Sequence, residues 1–174
     1  MEEIIQEEQK DSKLKKIIIG VIALTLLLLF LSYILVSYPL FSIIESLSES
    51  KLAKNETIQV NNLSIVFLGS TYKEVQSYYN KNLKVEMALC LKGDIKGNKY
   101  TINEVYQPEM IEQTFSHVVF KPCSSDSIVF LHSQPFRHCI ASEQDIETLN
   151  EIKQRNPNSL MVIMCEPNRF SVYQ

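Results

Sequence analysis

An α/β (α+β) fold, a mixed sheet with flanking helices preceded by one transmembrane helix, is the class this sequence predicts. Three observations predict it. From Ile17 to Ile44 no charged residue occurs, and that run exceeds the ~20 apolar residues that cross a bilayer as a helix. Beyond residue 57, short alternating or β-branched runs alternate with turn residues, as strands do. Two stretches of helical spacing interrupt them. Strands and helices mixed within one segment of ordinary domain size fold as a layered body.

Residues 1–16 are a charged, solvated tail. Residues 17–38, between Lys16 and Pro39, read as the transmembrane helix, because the centre from Leu24 to Leu31 is almost wholly aliphatic and has no amphipathic period. A signal peptide has a shorter apolar core followed by small residues. Here Tyr33, Tyr38 and Phe41 stand where small residues belong, so an uncleaved anchor in the lipid bilayer is expected. Lys10, Lys13, Lys15 and Lys16 flank its amino end and Lys51 and Lys54 the other. Basic residues gather on the cytoplasmic side, which favours a cytoplasmic N-terminus and an external domain. The triplets Asn55-Glu56-Thr57 and Asn62-Leu63-Ser64 suit an external segment that carries sugar.

Residues 39–57, rich in Ser, Glu and Lys, read as a short helical stalk, and residues 58–174 as the domain. Thr57 to Leu68 suggests a strand pair or one bent strand, and Ser70 is placed to cap a helix from Tyr72 to about Lys81. Val85 to Leu91 has the continuous apolar character of a strand covered on both faces, with Glu86 its one polar member. Lys96-Gly97-Asn98 makes a hairpin turn into Tyr100 to Tyr106. Ser116 to Phe120 and Ser127 to His132 are further strands. Ser142 begins a second helix on which Ile146, Leu149 and Ile152 keep helical spacing until Asn156-Pro157. Leu160 to Cys165 and Phe170 to Tyr173 close the chain as strands.

Residues 46–174 carry 13 basic and 14 acidic side chains with no block of one sign, so no nucleic-acid footprint is present. Only four glycines occur, which excludes a glycine-rich phosphate cradle. Cys90, Cys123, Cys139 and Cys165 form no CxxC pair, against a zinc knuckle or thioredoxin-like motif. Two disulfides in an external domain, or four buried thiols, both fit.

His132 ends a buried strand, and Ser142 and Asp145 open the next helix. A catalytic zinc takes three protein ligands and leaves a place for water, whose proton a carboxylate such as Glu86 can take. Each residue also has a plain structural reading. Ser142 and Asp145 fit a helix cap, a lone strand histidine is usually structural, and Glu86 fits an exposed strand edge. His117 reads as a core or surface histidine.

Taken jointly, Glu86 to Gly93, Ile128 to Pro135 with its His132-Ser133-Gln134, and Ala141 to Ile146 with Ser142 and Asp145 resemble the three blocks of the JAMM, or MPN-plus, metalloproteases. The resemblance covers nearly all of residues 58–174. It implies a membrane-anchored Zn2+ peptidase or isopeptidase acting on a protein substrate, often a ubiquitin-like one. His132, Gln134 and Asp145 would stand at the metal positions, with Glu86 moving the proton and Ser142 bonding the oxyanion. Two residues depart from the family pattern. Leu89 replaces a usual glycine, and Gln134 replaces the second zinc-binding histidine. The second departure leaves three arrangements open: weak ligation by Gln134, rescue by His138, or no metal site. The rival reading is a catalytically inactive, membrane-anchored protein-binding module of the same fold.

Overall fold

The structure, a computed structural model, describes every residue except Met1, Tyr38, Pro39, Phe136 and Arg137, with side chains for the rest apart from 2–14, 37 and 40–43. It divides into two compact units, Met1–Leu40 and Phe41–Gln174. The first is α1 (Glu2–Ser37), so the charged tail is helical and continuous with the apolar run. Within it Lys15–Val36 is long and apolar enough to cross a membrane. Its side chains are exposed all round, Leu24, Leu29 and Phe30 among them, which in water is untenable for so apolar a helix. Thr25 Oγ1 donates to Val21 O at 2.9 Å, satisfying its hydroxyl within the helix. The expected end at Tyr38 lies outside the described residues.

In the second unit α2 (Leu40–Glu49) leads into β1 (Lys51–Leu52), and then come β2 (Thr57–Val60), β3 (Leu63–Phe67) and α3 (Thr71–Lys81). The long hairpin β4 (Ala88–Lys96) and β5 (Lys99–Tyr106) follows, then a small hairpin, β6 (Met110–Gln113) and β7 (Val118–Phe120). The chain ends with β8 (Ser127–Ser133), α4 (Glu143–Arg155), β9 (Leu160–Glu166) and β10 (Arg169–Tyr173). Eight strands form one mixed sheet in the order β1-β10-β9-β8-β4-β5-β3-β2.

The two outer strands of that sheet, β1 and β2, are consecutive in the chain. Laid flat, seven inter-strand gaps would separate them by about 34 Å. The five steps from Leu52 to Thr57 reach only ~17 Å. The sheet therefore coils until its edges approach, and the link between them turns at Asn55-Glu56, where Lys54 bridges Thr57. Strand alternation then assigns two faces. Leu89, Leu91, Val129, Leu131, Val162 and Met164 join Tyr72 and Val75 of α3 in the main core. Phe130, His132 and Met161 line a cleft together with Thr148 and Ile152 of α4.

Three expectations need correction, and one strand was not expected. The strand expected from Val85 starts at Ala88, because Glu86 bonds instead to the small hairpin: its N–H donates to Thr114 O at 2.7 Å. Ser70 does occupy the N-cap position of α3, but its hydroxyl donates to Glu74 Oε1 rather than capping an amide. β6 was not expected, since Met110–Gln113 has no alternation and pairs only with β7. The stalk expected over 39–57 is helical in α2 (Leu40–Glu49), but Ser46 and Ser50 seat against the domain. Ser46 is buried and accepts from Cys139 N at 3.1 Å, and Arg169 Nη1 donates to Ser50 Oγ at 3.2 Å.

The cysteines pair as Cys90–Cys123 and Cys139–Cys165, with Cα separations of 5.8 and 5.3 Å. Both separations lie in the range a disulfide spans.

Candidate functional site

The five residues singled out from sequence meet in one cleft. Glu86 enters from the lead-in to β4, His132 from the end of β8, Gln134 just beyond it, and Ser142 and Asp145 from the start of α4. They converge because β4 and β8 are antiparallel neighbours with Ala88 opposite His132. Two bonds hold this register: Ser133 N donates to Met87 O at 2.9 Å, and Met87 N to Ser133 Oγ at 3.0 Å. The cleft holds about 130 Å³, below the ~300–1,000 Å³ of drug-sized ligand pockets. That is room for one side chain.

Ser142 and Asp145 form a capping box. Asp145 N donates to Ser142 Oγ at 3.2 Å, and Ser142 N donates back to Asp145 Oδ2 at 2.8 Å. The structural reading of this pair is therefore realised, and the pair still faces the cleft. The Ser142 hydroxyl also donates to Asp145 Oδ2 at 2.8 Å. On the other carboxylate oxygen, His132 Nε2 approaches Asp145 Oδ1 at 3.4 Å. That nitrogen is buried and makes no hydrogen bond of good geometry among the described residues.

Burial works to raise the Asp145 carboxyl, but His132 and the Ser142 donors outweigh it and hold it down to about 2. Glu86 is the opposite case. Only 8 % of it is exposed, and burial pushes its carboxyl up to about 7, with His132 pulling down and Asp145 adding to the rise. Two carboxyls in one cleft are thus driven apart in acidity by environment, the pattern that separates a proton donor from a fixed anion.

Gln134 is 7 % exposed. In one amide orientation its Nε2 donates to Asp145 Oδ2 at 3.3 Å and its Oε1 meets His138 Nδ1 at 3.0 Å. Turned over, the amide donates to the carbonyls of His138 at 2.6 Å and Ile140 at 3.0 Å. The second orientation is better satisfied, since the first sets the amide oxygen against those two carbonyls. In both, Gln134 is tied to the segment that leads into α4. His138 is exposed and engages Gln134, so it supplies no nitrogen to the cleft.

The expectation of Zn2+ is overturned. Among the described residues no group of three or more His, Cys, Asp and Glu side chains is placed to hold a metal ion. His132 and Asp145 supply two donors where a catalytic zinc needs three. At the third position that the resemblance implies stands Gln134, a neutral amide and a poor zinc donor.

Sequence reasoning missed the part played by the small hairpin. Gln113 Nε2 donates to Glu86 O at 3.0 Å, and Ser116, His117, Val118 and Phe120 line the cleft. His117 is held by Thr114 Oγ1 at 2.9 Å and lies 3.5 Å from Glu112. No local signal marks it, because its place follows from the turn between β6 and β7. Leu89, at the glycine position of the resemblance, is buried in the core.

Ser142→Ala removes one arm of the capping box and the hydroxyl on Asp145. It is expected to lower stability by ~1–2 kcal/mol, read as a fall of a few degrees in the thermal midpoint followed by circular dichroism. No protein-family model matches this chain, and comparison with curated proteins finds none that is similar to it.

Proposed function

We propose that this chain is a membrane-anchored protein-binding module, built on a JAMM-like fold, whose cleft receives a side chain of a polypeptide partner without a metal ion. The observation that carries the reading is Gln134. Its amide stands at the third ligand position and is taken up by the chain's own 138–140 segment, while Asp145 is taken up by Ser142 and His132. Gln134 and Asp145 are thus engaged by the chain's own groups, while His132 Nε2 is left buried without a hydrogen bond among the described residues and faces the cleft, a polar group for a partner side chain to meet.

The anchor is the Lys15–Val36 stretch of α1, retained as a membrane helix with its N-terminus cytoplasmic and the domain on the far side. Two features support that orientation. The lysine excess lies before the helix. Both cysteine pairs are disulfides, which persist in oxidising compartments and are rare in the cytosol.

The test is the zinc content of the full-length chain, purified in detergent and dialysed against micromolar zinc. The parent is expected to hold well under a tenth of an equivalent, and Gln134→His, which completes a three-donor set with His132 and Asp145, close to one. A parent that retains about one zinc per chain overturns the reading.

A further inference from the structure

We propose that Asn55 and Asn62 are acceptor sites for N-linked glycans, one at each end of β2. The proposal rests on the external orientation given above and goes beyond it to a covalent modification. Each asparagine begins an acceptor triplet, with Thr57 and Ser64 at the third positions and no proline between. Each also lies on the tip of a two-residue turn. Lys54 and Thr57 exchange backbone bonds of 2.9 and 3.0 Å around Asn55-Glu56, and Val60 pairs with Leu63 around Asn61-Asn62.

Tight hairpin turns select asparagine for reasons of backbone alone, so the two sites must be weighed against that. Asn55 has φ 49° and Glu56 φ 57°, and asparagine tolerates that left-handed region well. The turn therefore accounts for Asn55 by itself. It does not account for Asn62. In the second turn the left-handed residue is Asn61, at φ 51°, and Asn62 adopts no such conformation. Both Asn55 and Asn62 are exposed, and among the described residues neither side-chain amide makes a hydrogen bond. Two free amides on projecting tips are what a transferase needs to reach.

Their placement gives the modification a physical role. β2 is the terminal strand of the sheet and, among the described residues, has β3 as its only strand partner, with Lys54 bridging Thr57 at its first residue. Such an edge is a template for pairing with another chain unless something blocks it. Asn55 precedes the strand and Asn62 follows it, so two bulky, hydrated sugars bracket the edge over roughly 20 Å. In the transfer, a bond forms between the asparagine Nδ2 and the anomeric carbon of a lipid-diphosphate-linked oligosaccharide. The bond from that carbon to the phosphate oxygen breaks, the lipid diphosphate leaves with the electron pair, and the amide gives one proton to a base of the transferase.

The experiment is translation of the full-length chain with endoplasmic-reticulum microsomes, read by gel mobility with and without a peptide-N-glycosidase and by protection from added protease. The expected result is a protease-protected domain carrying two glycosidase-sensitive mobility steps. Asn55→Gln and Asn62→Gln each remove one step. Thr57→Val and Ser64→Ala do the same while leaving the asparagines in place, so loss through misfolding at one residue is told apart. A protected domain with no mobility step overturns the proposal and leaves the orientation standing. A domain digested by the added protease overturns both.

Discussion

Gly93→Ala is expected to lower the thermal midpoint of the folded domain by about 10 °C, the equivalent of ~4 kcal/mol at this size. A Cβ built at Gly93 falls 1.8 Å from Thr101 O and 2.8 Å from Thr101 C. Both are backbone atoms of β5, so no rotamer change relieves the overlap. The register of β4 against β5 shifts between Lys92 and Gly93, and this bulge brings the strands too close for any side chain. Relief requires β5 to move away. β5 also pairs with β3 and contributes Tyr100, Ile102 and Val105 to the core, so the displacement propagates through the middle of the sheet. Thermal unfolding of the full chain in detergent micelles, followed by far-ultraviolet circular dichroism, measures the effect. A midpoint within two or three degrees of the parent would refute the close approach.

Glu86→Gln has the next largest effect, and its sign depends on pH. The Glu86 carboxyl has an ordinary value of 4.5 and is pushed up to about 7 in the folded chain by burial. Below pH 4.5 both folded and unfolded chains hold the proton, and the residue costs nothing. Between these values the unfolded chain has released its proton while the folded chain keeps it, so stability falls as pH rises. Above 7 the loss is complete, at about 3 kcal/mol from 1.36 kcal/mol per pKa unit. Glutamine stays neutral throughout. The variant is therefore expected to match the parent near pH 5 and to exceed it by several degrees in thermal midpoint at pH 8. Equal differences at both pH values would show that Glu86 is not buried.

Asp145 works in the opposite sense. Held down to about 2 from 3.8, it adds stability that is full above its ordinary value and is lost as pH falls toward 2. The cleft's contribution to stability therefore peaks at about pH 4–5 and falls away on either side. In the neutral range Asp145 is a fixed anion and Glu86 is near half-protonation, which gives the slot a negative character that varies with pH. For the proposed binding module, a partner side chain that donates hydrogen bonds suits this slot better than one that only accepts.

Much of the fold was legible in the residues, because the signals concerned are local. A run of aliphatic side chains without charge leaves a helix no stable place in water, and the Lys15–Val36 part of α1 follows from that alone, whereas the helical charged tail before it does not. Ser142 and Asp145 announced the start of α4 through their spacing, and Lys96-Gly97-Asn98 announced a hairpin, realised with Gly97 at φ 59°. The five cleft residues were also named from the sequence, and the fold brings them into one cleft. Apart from the cleft residues, which lie in three separated blocks, each of these readings needs only neighbours within a few positions.

Tertiary structure alone decided the rest. The coiling of the sheet follows from a four-residue link between its two edges, which no window of sequence reveals. The pairing of Cys90 with Cys123 and of Cys139 with Cys165, the seating of Ser46 and Ser50 against the domain, and the grip of the small hairpin on Glu86 join positions 26 to 119 residues apart. Gln134 shows the difference most clearly. Its identity raised the question of the metal, but the answer lay in which groups surround it in space, because an amide's role is set by the partners that satisfy it and those partners are brought by the fold.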